Sequence, residues 1–108
     1  MDPDIYARIS LKKTEDGGRT GPILARDYGC PLFFQNEYEL EKHGYDCRLL
    51  LSQLGKGIAP GETLAKVPIR VLCPETVIPH LLVGARFQMW EGKVIGHGEV
   101  LSIEVRKG

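Results

Sequence analysis

The stretch IYARISLK at residues 5–12 alternates apolar and polar side chains one by one. Ile5, Ala7, Ile9 and Leu11 point one way; Tyr6, Arg8, Ser10 and Lys12 point the other. A period of two belongs to a half-buried strand and is incompatible with a helix of 3.6 residues per turn. TLAKVPIRVL at residues 63–72 repeats the pattern, with Ala65, Val67, Ile69 and Val71 on one face. Helical periodicity is almost absent from the chain. A chain built this way must bury one face of a sheet, and it must also deal with that sheet's edges.

Four more segments read as strands: PLFFQ at 31–35, CRLLL at 47–51, ARFQMW at 85–90 and KVIGHGEVLSIEV at 93–105. Glu91 and Gly92 between the last two form a two-residue hairpin signal. The expected fold is all-β: a small six-stranded antiparallel barrel of Greek-key-like type, in which closure removes the edges. Its 108 residues suit a single domain over 1–108 with one modest core. That core is expected to hold Ile5, Ile9, Phe33, Leu49, Val67, Ile69, Val71, Phe87, Leu101 and Ile103.

The connections carry their own signals. Residues 13–30 read as a long loop that contains EDGGRTGPI, too polar for a strand and too rich in glycine for a helix. NEYELEKHGYD reads as a surface connection, in which YELEKHG suits a helical turn ended by Gly44. Pro60–Gly61 suits a tight turn, and CPETVIPHLLVG at 73–84 a proline-punctuated crossover. Pro68 lacks an N–H and points to an edge strand or a bulge; Gly96 and Gly98 point to a bulge or a barrel corner.

Composition excludes several functions. Formal net charge is zero, and residues up to Leu54 hold 7 basic and 9 acidic side chains, so no basic stripe for nucleic acid is visible. No apolar run is long enough for a membrane span, and the start lacks the design of a signal peptide, so a cytoplasmic protein is expected. Cys30, Cys47 and Cys73 are odd in number and widely spaced, which fits buried free thiols better than a disulfide framework. His43, His80 and His97 lack metal-ligand spacing, and no serine stands in a nucleophile motif. A catalytic site, a metal and a cofactor are therefore not expected.

The ordered motifs carry a resemblance. Gly17, Gly18, Arg19, Pro22 and Ile23 come first, followed by Tyr28, Pro31, Phe33 and Phe34. Pro60, Gly61 and Glu62 follow, then Cys73 and Pro74, then Arg86, Phe87, Glu91, Gly92, Gly96, Gly98 and Val100. In this order the chain resembles the C-terminal β-barrel, the third domain, of bacterial elongation factor Tu. The arginine of the family's Y-R-P is replaced by Gly29–Cys30, and Trp90 stands where the family's last hairpin opens with arginine. No phosphate-binding GxxxxGK[ST] run occurs, so GTP is expected neither to bind nor to be hydrolysed.

The resemblance implies a non-catalytic binding module linked to translation, touching tRNA or a translation factor through the first loop and the last hairpin. The candidate partner-binding residues are Arg19, Trp90, Glu91, Gly92 and Lys93. An alternative is a protein-interaction module with an unrelated partner, such as an immunity protein that neutralises a toxin. Two questions stay open at this level. Arg19 either locks its own loop or reaches a partner, and Trp90 either packs in the barrel or offers an exposed platform.

Overall fold

A computed structural model describes residues 2–35 and 39–104. Six strands form a closed antiparallel barrel in the order β1-β4-β3-β2-β5-β6. They are β1 (Ile5–Leu11), β2 (Tyr28–Gln35), β3 (Tyr45–Leu49), β4 (Thr63–Val71), β5 (Arg86–Trp90) and β6 (Val94–Ile103). β2, β3 and β4 are successive neighbours, and β4 lies beside β1, which is the Greek-key arrangement. β5 and β6 form the last hairpin, and β6 closes on β1. Two single-turn helices, α1 (Leu51–Leu54) and α2 (Pro74–Val77), interrupt the connections.

Alternation along β1 sets the core directly: Ile5, Ala7, Ile9 and Leu11 are all buried. Leu49, Val67, Ile69, Val71 and Phe87 join them as expected. Phe33 does not. In β2 it is Leu32 and Phe34 that turn inward, while Phe33 faces outward and is half-buried. Leu101 and Ile103 are also only half-buried, and Val100 and Ile95 take the interior of β6. Ala65 is exposed and Leu64 buried, because the β1–β4 register shifts between Ala7 and Ile9 and reverses the phase of β4 beyond it.

Pro68 pairs with Tyr6 inside the closed sheet and lies on no edge; the bulge falls on the far side of Val67, between it and Leu64. Leu50 N–H donates to Pro68 O at 2.8 Å. Pro68 has no N–H for the return bond, and the chain leaves the ladder there to enter α1. The β-strand expected over CRLLL therefore stops at Leu49, with Leu50 and Leu51 buried as the chain turns.

Gly96 and Gly98 face Met89 and Phe87; the β5–β6 register shifts directly beside Gly96, between its pair with Met89 and the Trp90–Val94 pair, as a bulge there requires, whereas Gly98 sits in regular register. A Cβ on Gly98 would strike the Phe87 ring and Arg8 O. The aromatic ring fills the space that a side chain would take, which is why glycine stands there.

Both ends are plugged by connections. Residues 12–27 cross one end, where Ile23 and Ile58 pair as an isolated bridge with N···O distances of 2.9 Å both ways. Both isoleucines are buried, so the long loop is pinned, and its last residues, 28–30, already belong to β2. In the β2–β3 connection residues 39–42 form turns, and Leu40 is buried where a wholly surface connection was expected. Tyr38, the first residue of the expected helical turn, and Val105, the last of the expected final strand, lie outside the described residues. The 73–84 crossover carries α2 and a 3-10 turn (Ile78–His80), from which Val77 and Leu81 enter the core. Asp4 is the buried polar residue: its carboxylate accepts Val71 N–H at 2.8 Å and ends the β4 ladder. No helix among the described residues is long and apolar enough to cross a membrane.

Candidate functional site

The site is built where the first loop meets the last hairpin. A 3-10 turn (Thr14–Asp16) opens the loop, and the N–H groups of Gly17 and Gly18 close on Thr14 O and Lys13 O at 3.1 and 3.0 Å. Thr14 Oγ1 then donates to Arg19 O at 2.5 Å, which fixes the backbone at Arg19. From there the Arg19 guanidinium reaches in several directions. Nε donates to Gly21 O at 3.2 Å and Nη2 to Pro22 O at 3.4 Å. Nη1 forms an ion pair with Glu91 on the hairpin and lies 3.4 Å from the Tyr28 hydroxyl. Tyr28 OH also donates to the Glu91 carboxylate. The guanidinium carbon stands 5.6 Å from the centroid of the Tyr28 ring, within range of a cation–π contact.

Arg19 is thus a clamp that ties its own loop to the hairpin. Its side chain is 23% exposed and most of its donors are used. Tyr28 is the member of this cluster that sequence reasoning left out of the site. Burial, then its hydrogen bond to Glu91, pushes the Tyr28 phenol well above its usual range. It remains a donor at neutral pH.

The hairpin continues the site outward. Glu91 N–H donates to Lys93 O at 2.8 Å across a turn in which Gly92 has φ 69°. That left-handed conformation favours glycine and leaves this one turn position without a side chain. Lys93 is exposed at the tip and has no ion pair among the described residues. Trp90 is 41% exposed and meets Phe33 edge to face, with centroids 5.8 Å apart and an interplanar angle of 61°. Trp90 therefore leans on the outside of the barrel wall and does not enter the core. All five candidate residues gather at this end: Arg19 and Glu91 paired, Trp90, Gly92 and Lys93 presented beside them.

Ser52 Oγ donates to Asp27 Oδ1 at 2.5 Å, but no histidine joins that pair. His43, His80 and His97 are exposed, and the His97 ring, on the outer wall, makes no hydrogen bond among the described residues. Among the described residues no three His, Cys, Asp or Glu side chains converge as a metal site. Cys30 and Cys47 are buried free thiols that face each other across β2 and β3, whereas Cys73 is exposed, against expectation. Burial, with Glu91 and Asp46 adding to it, pushes the Cys30 thiol up to about 12. Burial, and then Cys30, raises that of Cys47 as well.

Compared with known protein families and with curated proteins, the chain matches none.

Proposed function

We propose that this barrel is a non-catalytic binding module that docks a protein partner through the last hairpin, with Trp90 as the anchor. The observation that carries this reading is the exposure of the lone tryptophan on a rigid strand, braced by Phe33. A half-exposed indole with its χ angles already restrained loses little entropy on binding, and tryptophan is enriched among residues that dominate interfaces. Arg19 and Glu91 hold the hairpin in place from behind. A second reading rests on the resemblance to the third domain of elongation factor Tu, whose corresponding hairpin lies near the T-stem of aminoacyl-tRNA. Lys93, at the tip and without an ion pair among the described residues, supports that reading as a phosphate contact.

Trp90→Ala and Lys93→Ala separate the two. The wild-type barrel is immobilised and exposed to native lysate, with and without nuclease. A stoichiometric protein captured regardless of nuclease, and lost in Trp90→Ala at unchanged melting temperature, supports the protein reading. Capture that needs RNA and is weakened by Lys93→Ala replaces it with the tRNA reading. Retained capture by Trp90→Ala defeats the anchor role.

A further inference from the structure

Arg48 on β3 and Arg70 on β4 are directly opposite in register. Both side chains point outward, since the residues flanking them in β3 and β4 are buried: Cys47, Leu49, Ile69 and Val71. Like charges so placed repel, because opposite Cβ atoms in a sheet stand only about 5 Å apart. Arg8, Arg19 and Arg86 each have a glutamate partner. Among the described residues Arg48 and Arg70 form no ion pair. Arg70 is held by a bond from Nη1 to Asp2 O at 2.9 Å, which orients its remaining donors. Arg48 faces Gly29 on its other side and is unobstructed there. The two arginines, with Val71, Leu72 and Pro74, line a hollow of about 170 Å³.

This hollow adjoins the wall that bears Trp90. Leu72 N–H bonds to Asp46 O at 3.0 Å, and Asp46 faces Pro31. Pro31 lies one step beyond the Leu32–Met89 pair and so stands beside Trp90. Leu72, Asp46, Pro31 and Trp90 therefore form one outward row across four strands, about 14 Å long at ordinary strand spacing. Leu72 is 51% exposed at one end and Trp90 caps the other.

We propose that this wall takes an acidic, apolar-flanked segment of a protein partner, one of whose carboxylates lodges between Arg48 and Arg70. The inference rests on the docking role of Trp90 and specifies what that surface recognises. Two guanidinium forks on a carboxylate relieve their mutual repulsion, and the geometry suits bidentate bonding. Leu72, Pro74, Pro31 and Trp90 cover the partner's apolar side chains. Asp46, on the same face two residues before Arg48, repels a second anion, so the site suits one carboxylate and not a run of adjacent phosphates.

A blocked peptide of repeating Glu-Leu-Ser and its Gln-Leu-Ser counterpart are titrated into the isotope-labelled barrel. Amide shifts and the emission of Trp90 are followed. The Glu peptide is expected to move Gly29, Arg48, Arg70 and Leu72 saturably and to shift the Trp90 emission to the blue. The Gln peptide and the Arg48→Glu variant should each bind at least about tenfold more weakly, the loss expected for charge-assisted bonds. Arg48→Lys should recover part of the affinity, since it restores charge without the fork. Arg48 is exposed, so Arg48→Lys should melt with the wild type, and Arg48→Glu, now opposite Arg70, at or slightly above it. Equal binding by Arg48→Glu overturns the carboxylate site while leaving Trp90 its role. Shifts at the arginines without any response from Trp90 keep the site and defeat the hairpin reading. No saturable shift with the Glu peptide overturns the inference. So does a single-stranded RNA oligonucleotide that displaces the peptide from Arg48 and Arg70.

Discussion

Arg19 spends its donors inside the molecule, so its removal costs stability before it costs binding. Arg19→Ala loses the ion pair to Glu91 and the bonds to Gly21 O and Pro22 O. With partial exposure screening the charge, a loss of about 1–2 kcal/mol is expected. Differential scanning calorimetry should show a melting temperature lowered by several degrees, and Trp90→Ala should show almost no change. The thiols report on burial at the same scale. Ellman's reagent should titrate Cys73 alone in the native protein and all three cysteines after unfolding. The folded state keeps the Cys30 proton up to about pH 12, whereas an unfolded thiol loses it near pH 8.5. Their contribution to stability is therefore full below about pH 8.5 and is lost as the pH rises toward 12. Urea unfolding curves recorded from neutral to alkaline pH should shift to lower midpoints only above that onset. A flat profile would mean that the thiols are accessible to solvent.

The β5–β6 hairpin depends on a packing match between its strands. Phe87 covers Gly98, and a methyl group placed there has nowhere to go, since it meets both the ring and the Arg8 carbonyl on β1. Gly98→Ala should destabilise by about 1–3 kcal/mol through overpacking. Phe87→Ala should cost about 3–5 kcal/mol, because a fully buried ring is lost. The two changes act on one contact and should not add: in the double variant Gly98→Ala, Phe87→Ala the methyl group occupies space that the ring has left. Chemical denaturation of the four proteins gives the coupling directly. Additive losses would place the strain of Gly98→Ala in the backbone and not against the ring.

Closure is the property of the whole molecule on which the site depends. β1, the first strand, pairs with β4 on one side and β6, the last strand, on the other. Barrel formation must therefore join distant parts of the chain, which makes folding slow relative to a helical domain, on the order of milliseconds to seconds. Removal of residues 1–11 opens two ladders at once and exposes the edges of β4 and β6. The truncated chain should elute as aggregate in size-exclusion chromatography and lose the strand signal in circular dichroism. A monomeric, folded product would show that the other five strands form a stable sheet by themselves.

The number of strands, the outward and inward faces of β1 and the position of the last hairpin were legible in the sequence, because alternation and turn chemistry are local. The phase of β2 was not read: Leu32, Phe33 and Phe34 are all apolar, and the polar residue that shares the outer face with Phe33, Gln35, stands only at the end of the strand. Pairing with β5 holds Leu32 and Phe34 inward and leaves Phe33 to support Trp90. The gathering of Arg19, Trp90, Glu91, Gly92 and Lys93 at one end followed from the ordered motifs. The bond between Arg19 and Glu91, which are 72 residues apart, did not, nor did the part of Tyr28 in it. The row from Leu72 to Trp90 and the facing of Arg48 and Arg70 draw on four strands. Such groupings are set by the register at which the barrel closes, and register is decided by packing between strands that no stretch of sequence contains.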